Sequence, residues 1–133
     1  MAGAETVIVA GIGCGRDTPA AEIVALIAAA LKQFSIEPDD LAALATESAK
    51  ADEPGLAAAA QQMALPLLRS SVEQLERVAE KLLTHSERVM QLKGTPSIAE
   101  AAALVGAGRN ARLLGARISS GRVTCAIAEG EGT

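Results

Sequence analysis

Gly11-Ile-Gly-Cys-Gly-Arg16 follows an apolar run, Val7 to Val9, and leads into Thr18 and Pro19 at a predicted helix start. Glycines let the backbone approach a ligand, and a helix amino terminus offers N–H groups and the positive end of a dipole. Arg16 adds a guanidinium able to grip a carboxylate through two parallel hydrogen bonds. The stretch therefore suits an anion, with Gly11, Gly13, Cys14, Gly15 and Arg16 as candidate binding residues. Its plain alternative is a tight strand-to-helix turn. Two common anion loops do not fit. The dinucleotide fingerprint needs glycine where Arg16 stands and an acid about twenty residues on, and Glu47 comes far too late. A phosphate loop needs Gly-Lys followed by Ser or Thr.

Lys50-Ala-Asp-Glu-Pro-Gly55 is the second stretch. Asp52 or Glu53 could simply cap the following helix, with Pro54 in its first turn. Capping does not require Lys50, Asp52 and Glu53 together, and two acids with a base beside a cleft suit acid–base work or the orientation of a polar substrate. These three are the catalytic candidates, and binding candidates as well. Thr95 and Ser97, with Glu100, form a third helix start that capping explains and that also offers ligand contacts. Cys14, just ahead of a helix amino terminus, stands where a thiol pKa is lowered and a nucleophile is conceivable. No histidine is near in sequence, and a small packed cysteine is the favoured reading. Cys125 reads as core and His85 as surface. One His and two distant Cys give no metal-ligand spacing, and neither a metal nor a cofactor is expected.

These stretches need elements to hold them. A buried strand is predicted over residues 5–10. A one-faced apolar stripe of Ile23, Leu26, Ile27, Ala30, Leu31 and Phe34 predicts a helix from Pro19 to Phe34, with Thr18 as its N-cap. Pro38 to Leu41 reads as a helical turn entering a second strand, Leu41 to Thr46. A loop over residues 47–55, a short helix from Leu56 to Ala64 and a third strand at Leu67 to Arg69 follow. Ser70-Ser-Val-Glu73 reads as a capping box for a helix through Leu75, Val78, Ala79, Leu82 and Leu83. A further helix spans Ser97 to Gly106. Leu113 to Ser119 and Arg122 to Ala128 flank Ser120-Gly121 as a hairpin, and residues 129–133 read as a frayed tail. Alternating strands and helices argue for a parallel sheet covered on both faces. The predicted fold is a single three-layer α/β/α domain, with a mixed, mostly parallel sheet of about five strands ending in an antiparallel hairpin. The carboxyl ends of its parallel strands then bring the Gly11 and Lys50 stretches to one edge, where ligands bind in such sheets.

Composition narrows the function classes. Among 133 residues there is one aromatic, Phe34, so the core is aliphatic and stacking platforms for single-stranded nucleic acid are missing. A net charge of −4 with scattered basic residues gives no polyanion-binding patch. No apolar run approaches a membrane span, and no basic and apolar leader precedes a cleavage site. The expectation is a cytoplasmic protein with reduced thiols that binds neither nucleic acid nor membrane.

Four segments then occur in order: Gly11 to Arg16, Lys50-Ala-Asp-Glu-Pro-Gly-Leu56, Ser97-Ile-Ala-Glu-Ala-Ala-Ala-Leu104 and Ser120-Gly-Arg-Val-Thr-Cys-Ala-Ile-Ala128. Together they resemble the CobE family, homologous to the C-terminal domain of the cobalamin-biosynthesis protein CbiG, over roughly Thr6 to Ala128. The resemblance implies a role in making the corrin ring. CbiG-type proteins open a lactone on a cobalt-precorrin and release a two-carbon fragment during ring contraction, and they carry additional N-terminal sequence that this chain lacks. Stand-alone CobE-like proteins belong to the aerobic route. The implied ligand is a precorrin or corrinoid intermediate, held in a cleft at the sheet's carboxyl edge, and the implied partners are other enzymes of the pathway. The alternatives are a CbiG-type lactone-opening enzyme and, from another class, a generic anion- or nucleotide-binding α/β module.

Overall fold

The computed structural model describes residues 6–78 and 98–132. Strand β1 (Val7–Cys14) leads to helix α1 (Ala20–Gln33), a short 3₁₀ turn (Pro38–Asp40) and β2 (Leu41–Glu47). A second 3₁₀ turn (Ser48–Lys50), α2 (Pro54–Gln62), β3 (Leu67–Ser70) and α3 (Val72–Arg77) follow. Helix α4 (Ile98–Ala107) then leads into β4 (Arg112–Leu113), β5 (Ile118–Ser120) and β6 (Val123–Gly130). His85 and the helical positions Ala79, Leu82 and Leu83 lie outside the described residues.

The sheet has six strands in the order β3-β2-β1-β6-β4, with β5 also on β6. Among the strands described, β1, β2 and β3 pair in parallel. Strand β6 runs antiparallel to β1 along its full length, from Val7↔Gly130 to Cys14↔Val123. Its other edge carries β4 and then β5, so the single strand expected from Leu113 to Ser119 is split by residues 114–117. The hairpin turn is Gly121-Arg122 rather than Ser120-Gly121, because Gly121 takes the left-handed backbone (φ 59°) that glycine tolerates best. Residues 129–132 are paired rather than loose. Glu131 N–H donates to the Arg109 carbonyl and Gly132 N–H to that of Ala107, both at 2.8 Å.

The two faces differ in side-chain size. Ala10, Ile12, Leu44, Val123, Cys125 and Ile127 pack against α1 and α2. On the other face Val9, Ala43, Ala45, Ala126 and Ala128 meet α4, itself built from Ala99, Ala101, Ala102, Ala103 and Ala107. Small residues on both surfaces bring α4 close to the strands. Gly11 marks the closest approach: a Cβ there would stand 2.0 Å from the Ala99 carbonyl oxygen and 2.6 Å from the Ala103 nitrogen. Gly11 and Gly13 thus lie within β1, and the strand-to-helix turn begins only at Gly15. The expected turn from Gly11 to Gly15 is corrected accordingly.

Two caps also differ from expectation. Pro19, not Thr18, occupies the N-cap position of α1, without a side-chain cap. Thr18 instead turns its hydroxyl back and donates to the Gly15 carbonyl at 2.6 Å. The capping box of α3 joins Ser71 to Gln74: Ser71 Oγ accepts from Gln74 N–H (3.2 Å), and Gln74 Oε1 accepts from Ser71 N–H (2.8 Å). Glu73 is one position too early for that exchange.

Candidate site at the carboxyl edge of the parallel strands

Parallel pairing of β1 and β2 brings their carboxyl ends, Cys14 and Glu47, to one edge of the sheet. Buried Thr46 ties the two strands there, its hydroxyl donating to the Ile12 carbonyl at 2.8 Å. The 3₁₀ turn after β2 carries Lys50 back over this edge. Gly13, Cys14, Glu47, Lys50 and Ile98 line a small pocket of about 140 Å³. Liquid water occupies about 30 Å³ per molecule, so the space holds a group of about five non-hydrogen atoms. A larger apolar hollow, about 680 Å³, lies by Leu31, Ile36 and Met63 at the far end of α1. It faces the amino end of β2, away from the edge where sheets of this kind bind ligands.

The three catalytic candidates have different partners in the structure. Asp52 is exposed and paired with Arg69 across 3.1 Å. Glu53 Oε1 accepts from the Asp17 N–H at 3.0 Å. The amide just after the Gly11–Arg16 candidates is thus engaged by the chain's own carboxylate. Lys50 and Arg16 form no ion pair among the described residues. Arg16 is exposed on the loop after β1, and Lys50 is half-buried at the pocket. Gly11 is buried beneath α4, Gly13 lines the pocket, and Gly15 donates its N–H to the Arg122 carbonyl at 3.0 Å. Thr95 and Ser97 lie outside the described residues, although Ile98, next in the chain, reaches the pocket.

Cys14 is half-buried, and burial pushes its thiol pKa above the ordinary value. Lys50 draws it back down and Glu53 pushes it further up. The lowered pKa expected from a nearby helix terminus is not what this thiol experiences, because desolvation outweighs the favourable charge. Among the described residues no group of His, Cys, Asp and Glu is arranged to hold a metal ion.

The model of the family described as cobalamin synthesis G C-terminus matches residues 8–128. The chain belongs to that family. This CbiG C-terminal domain is 43% identical to Protein CobE of a Sinorhizobium species over 121 residues, covering 91% of this chain and 79% of that protein. It superposes on the crystal structure of a CobE from the cobalamin biosynthetic pathway with a TM-score of 0.87 and 35% identity, covering 93% of this chain and 90% of that one. It is 30% identical to the cobalt-precorrin-5A hydrolase of Priestia megaterium over 92% of its own length but only 32% of the hydrolase. The domain is thus a cobalamin-biosynthesis protein of the CobE and CbiG type. Among the described residues no helix is long and apolar enough to cross a membrane.

Sequence reasoning did not single out two features of this domain. Glu47 lines the pocket, and its position as the last residue of β2 was the available signal. Glu100, read as a helix-start residue, is fully buried in α4, where one carboxylate oxygen accepts from the Arg117 N–H at 2.9 Å. It anchors the segment between β4 and β5, and only its apolar neighbours in sequence hinted at that burial.

Proposed function

We propose that the domain binds a precorrin or corrinoid intermediate of the aerobic cobalamin route across the carboxyl edge of β1 and β2. The observation that carries this reading is Lys50. It is an ammonium without an ion-pair partner among the described residues, half-buried in a pocket lined also by Gly13, Cys14, Ile98 and the single acid Glu47, in a protein of the cobalamin family. Such macrocycles are flat and fringed with short carboxylate arms. A pocket of about 140 Å³ takes one arm but not the ring, whereas whole drug-sized ligands need roughly 300–1,000 Å³. The ring therefore lies outside, over the edge, with Arg16 available to a second arm. Because the protein is acidic overall, attraction comes from these local cations. The domain works in the cytoplasm and passes the pigment to other pathway enzymes.

The engagement of Asp52 and Glu53 within the fold favours binding over acid–base chemistry. Likeness to the hydrolase supports a second reading, lactone opening, for which Lys50, Asp52 and Glu53 are the candidate groups. Titration with hydrogenobyrinic acid tests the first. A shifted visible spectrum and co-elution of pigment are expected, with affinity about tenfold weaker in Lys50→Ala, as for loss of one charge-assisted hydrogen bond. An unchanged spectrum without co-elution overturns the binding reading. Conversion of a lactone-bearing precorrin that Asp52→Ala or Glu53→Ala abolishes would establish the second.

A further inference from the structure

Glu53 joins the loops that carry Arg16 and Lys50, two cations without an ion pair among the described residues. Its carboxylate accepts the Asp17 N–H at 3.0 Å, although the two residues stand 36 positions apart in the chain. Asp17 has a left-handed backbone (φ 61°), a conformation that aspartate tolerates better than most non-glycine residues and that turns its N–H toward Glu53. Two further contacts meet at the same place. Thr18, buried, folds its hydroxyl onto the Gly15 carbonyl at 2.6 Å. Gly55, two residues after Glu53, lies so near that a Cβ would stand 1.9 Å from the Thr18 carbonyl oxygen. The turn bearing Arg16 is thus pinned to the segment that begins with Lys50.

We infer that Glu53 is a positioning residue, a latch that sets Arg16 relative to Lys50 so that both cations meet one ligand. This rests on the proposed corrinoid site and assigns Glu53 a part distinct from acid–base catalysis. A carboxylate is not required for the latch, only an acceptor oxygen at that point. Glutamine keeps the acceptor and alanine removes it. Arg16, whose guanidinium forms no ion pair among the described residues, is one residue from the latched amide, so its placement is what the latch transmits.

The test combines a double-mutant cycle with a measurement that needs no ligand. With hydrogenobyrinic acid as probe, Glu53→Ala is expected to weaken binding about fivefold or more, whereas Glu53→Gln stays within about twofold of the parent. In an Arg16→Ala background, Glu53→Ala should cost nothing further. An equal loss in Glu53→Gln, or losses that add independently of Arg16, would mean that Glu53 itself meets the ligand, and the inference falls. Hydrogen exchange at the Asp17 amide supplies the second readout, protected in the parent and in Glu53→Gln but several-fold faster in Glu53→Ala. If the parent does not bind the probe, the corrinoid reading fails, and the exchange data alone decide the latch. An Asp17 amide unchanged in Glu53→Ala refutes it.

Discussion

Cys14 and Cys125 differ by one step in depth and by a great deal in chemistry. Cys125 is buried, and burial pushes its thiol pKa from 9.0 up to about 12. Cys14 is half-buried, raised by the same desolvation but opposed by Lys50. A maleimide is therefore expected to label Cys14 in the native protein and leave Cys125 untouched, as peptide mass spectrometry would read. Lys50→Ala should slow that labelling at fixed pH, since a charge favouring the thiolate is gone. The sign for stability follows from linkage. A thiol whose folded pKa lies above its unfolded value contributes its full share of stability below pH 9 and loses it as pH climbs toward 12. Stability should fall in that window by up to about 1.4 kcal/mol per pH unit, and Cys125→Ala should flatten the slope at some cost in baseline stability. Denaturant melts from pH 8 upward check it; an unchanged slope in the variant rules Cys125 out as its source.

At the scale of elements, glycines decide how near a helix can lie to its neighbours. In Gly11→Ala the new methyl meets backbone of α4, and in Gly55→Ala it meets the Thr18 carbonyl. Neither obstacle is a flexible side-chain end, so each substitution should cost about 2 kcal/mol or more through backbone displacement. They differ in what they disturb. Gly55→Ala moves the loop pair that carries Arg16 and Lys50, so under the proposed corrinoid reading it should weaken binding of hydrogenobyrinic acid beyond its effect on folding. Gly11→Ala lies beneath α4, remote from Arg16, and should lower the midpoint of unfolding while sparing the Asp17 amide. Much of this element level was legible beforehand. The stripe from Ile23 to Leu31 specified α1 because burial at i, i+3 and i+4 suits only a helix. The extent of β1 was not legible, since a run of glycines reads as a turn until a helix is seen to press against it.

For the molecule as a whole, one sheet serves two cores of different texture. Ile27 belongs to the α1 and α2 side and Leu104 to the α4 side, and both are buried. Because both cores use the same strands, the domain should unfold in one transition. Ile27→Ala and Leu104→Ala should each lower its stability by about 3 kcal/mol, with costs that add because the sheet separates the sites. Two separate transitions in the double variant would contradict a shared sheet. The same arrangement forms the edge proposed for ligand binding. Strands β1 and β2 run parallel, so their carboxyl ends emerge together, while antiparallel β6 seals the other side of β1 and leaves the loops after β1 and β2 facing each other.

The α/β class, the aliphatic core, the hairpin near the end and the two stretches that meet at one sheet edge were all legible in the linear chain. It also carried the family, through four ordered segments. Those properties depend on local periodicity, on turn chemistry and on residue order, all present in a linear chain. Folding was needed to reveal which charges in Lys50-Ala-Asp-Glu-Pro-Gly55 remain available. Asp52 is drawn to Arg69 and Glu53 to the amide of Asp17, and neither partner can be inferred from spacing. It decided also that Gly11 serves helix packing and that Glu47 faces the pocket. An ion pair or a close backbone approach is a relation between residues far apart in the chain. It exists only once the sheet has set the distance between them.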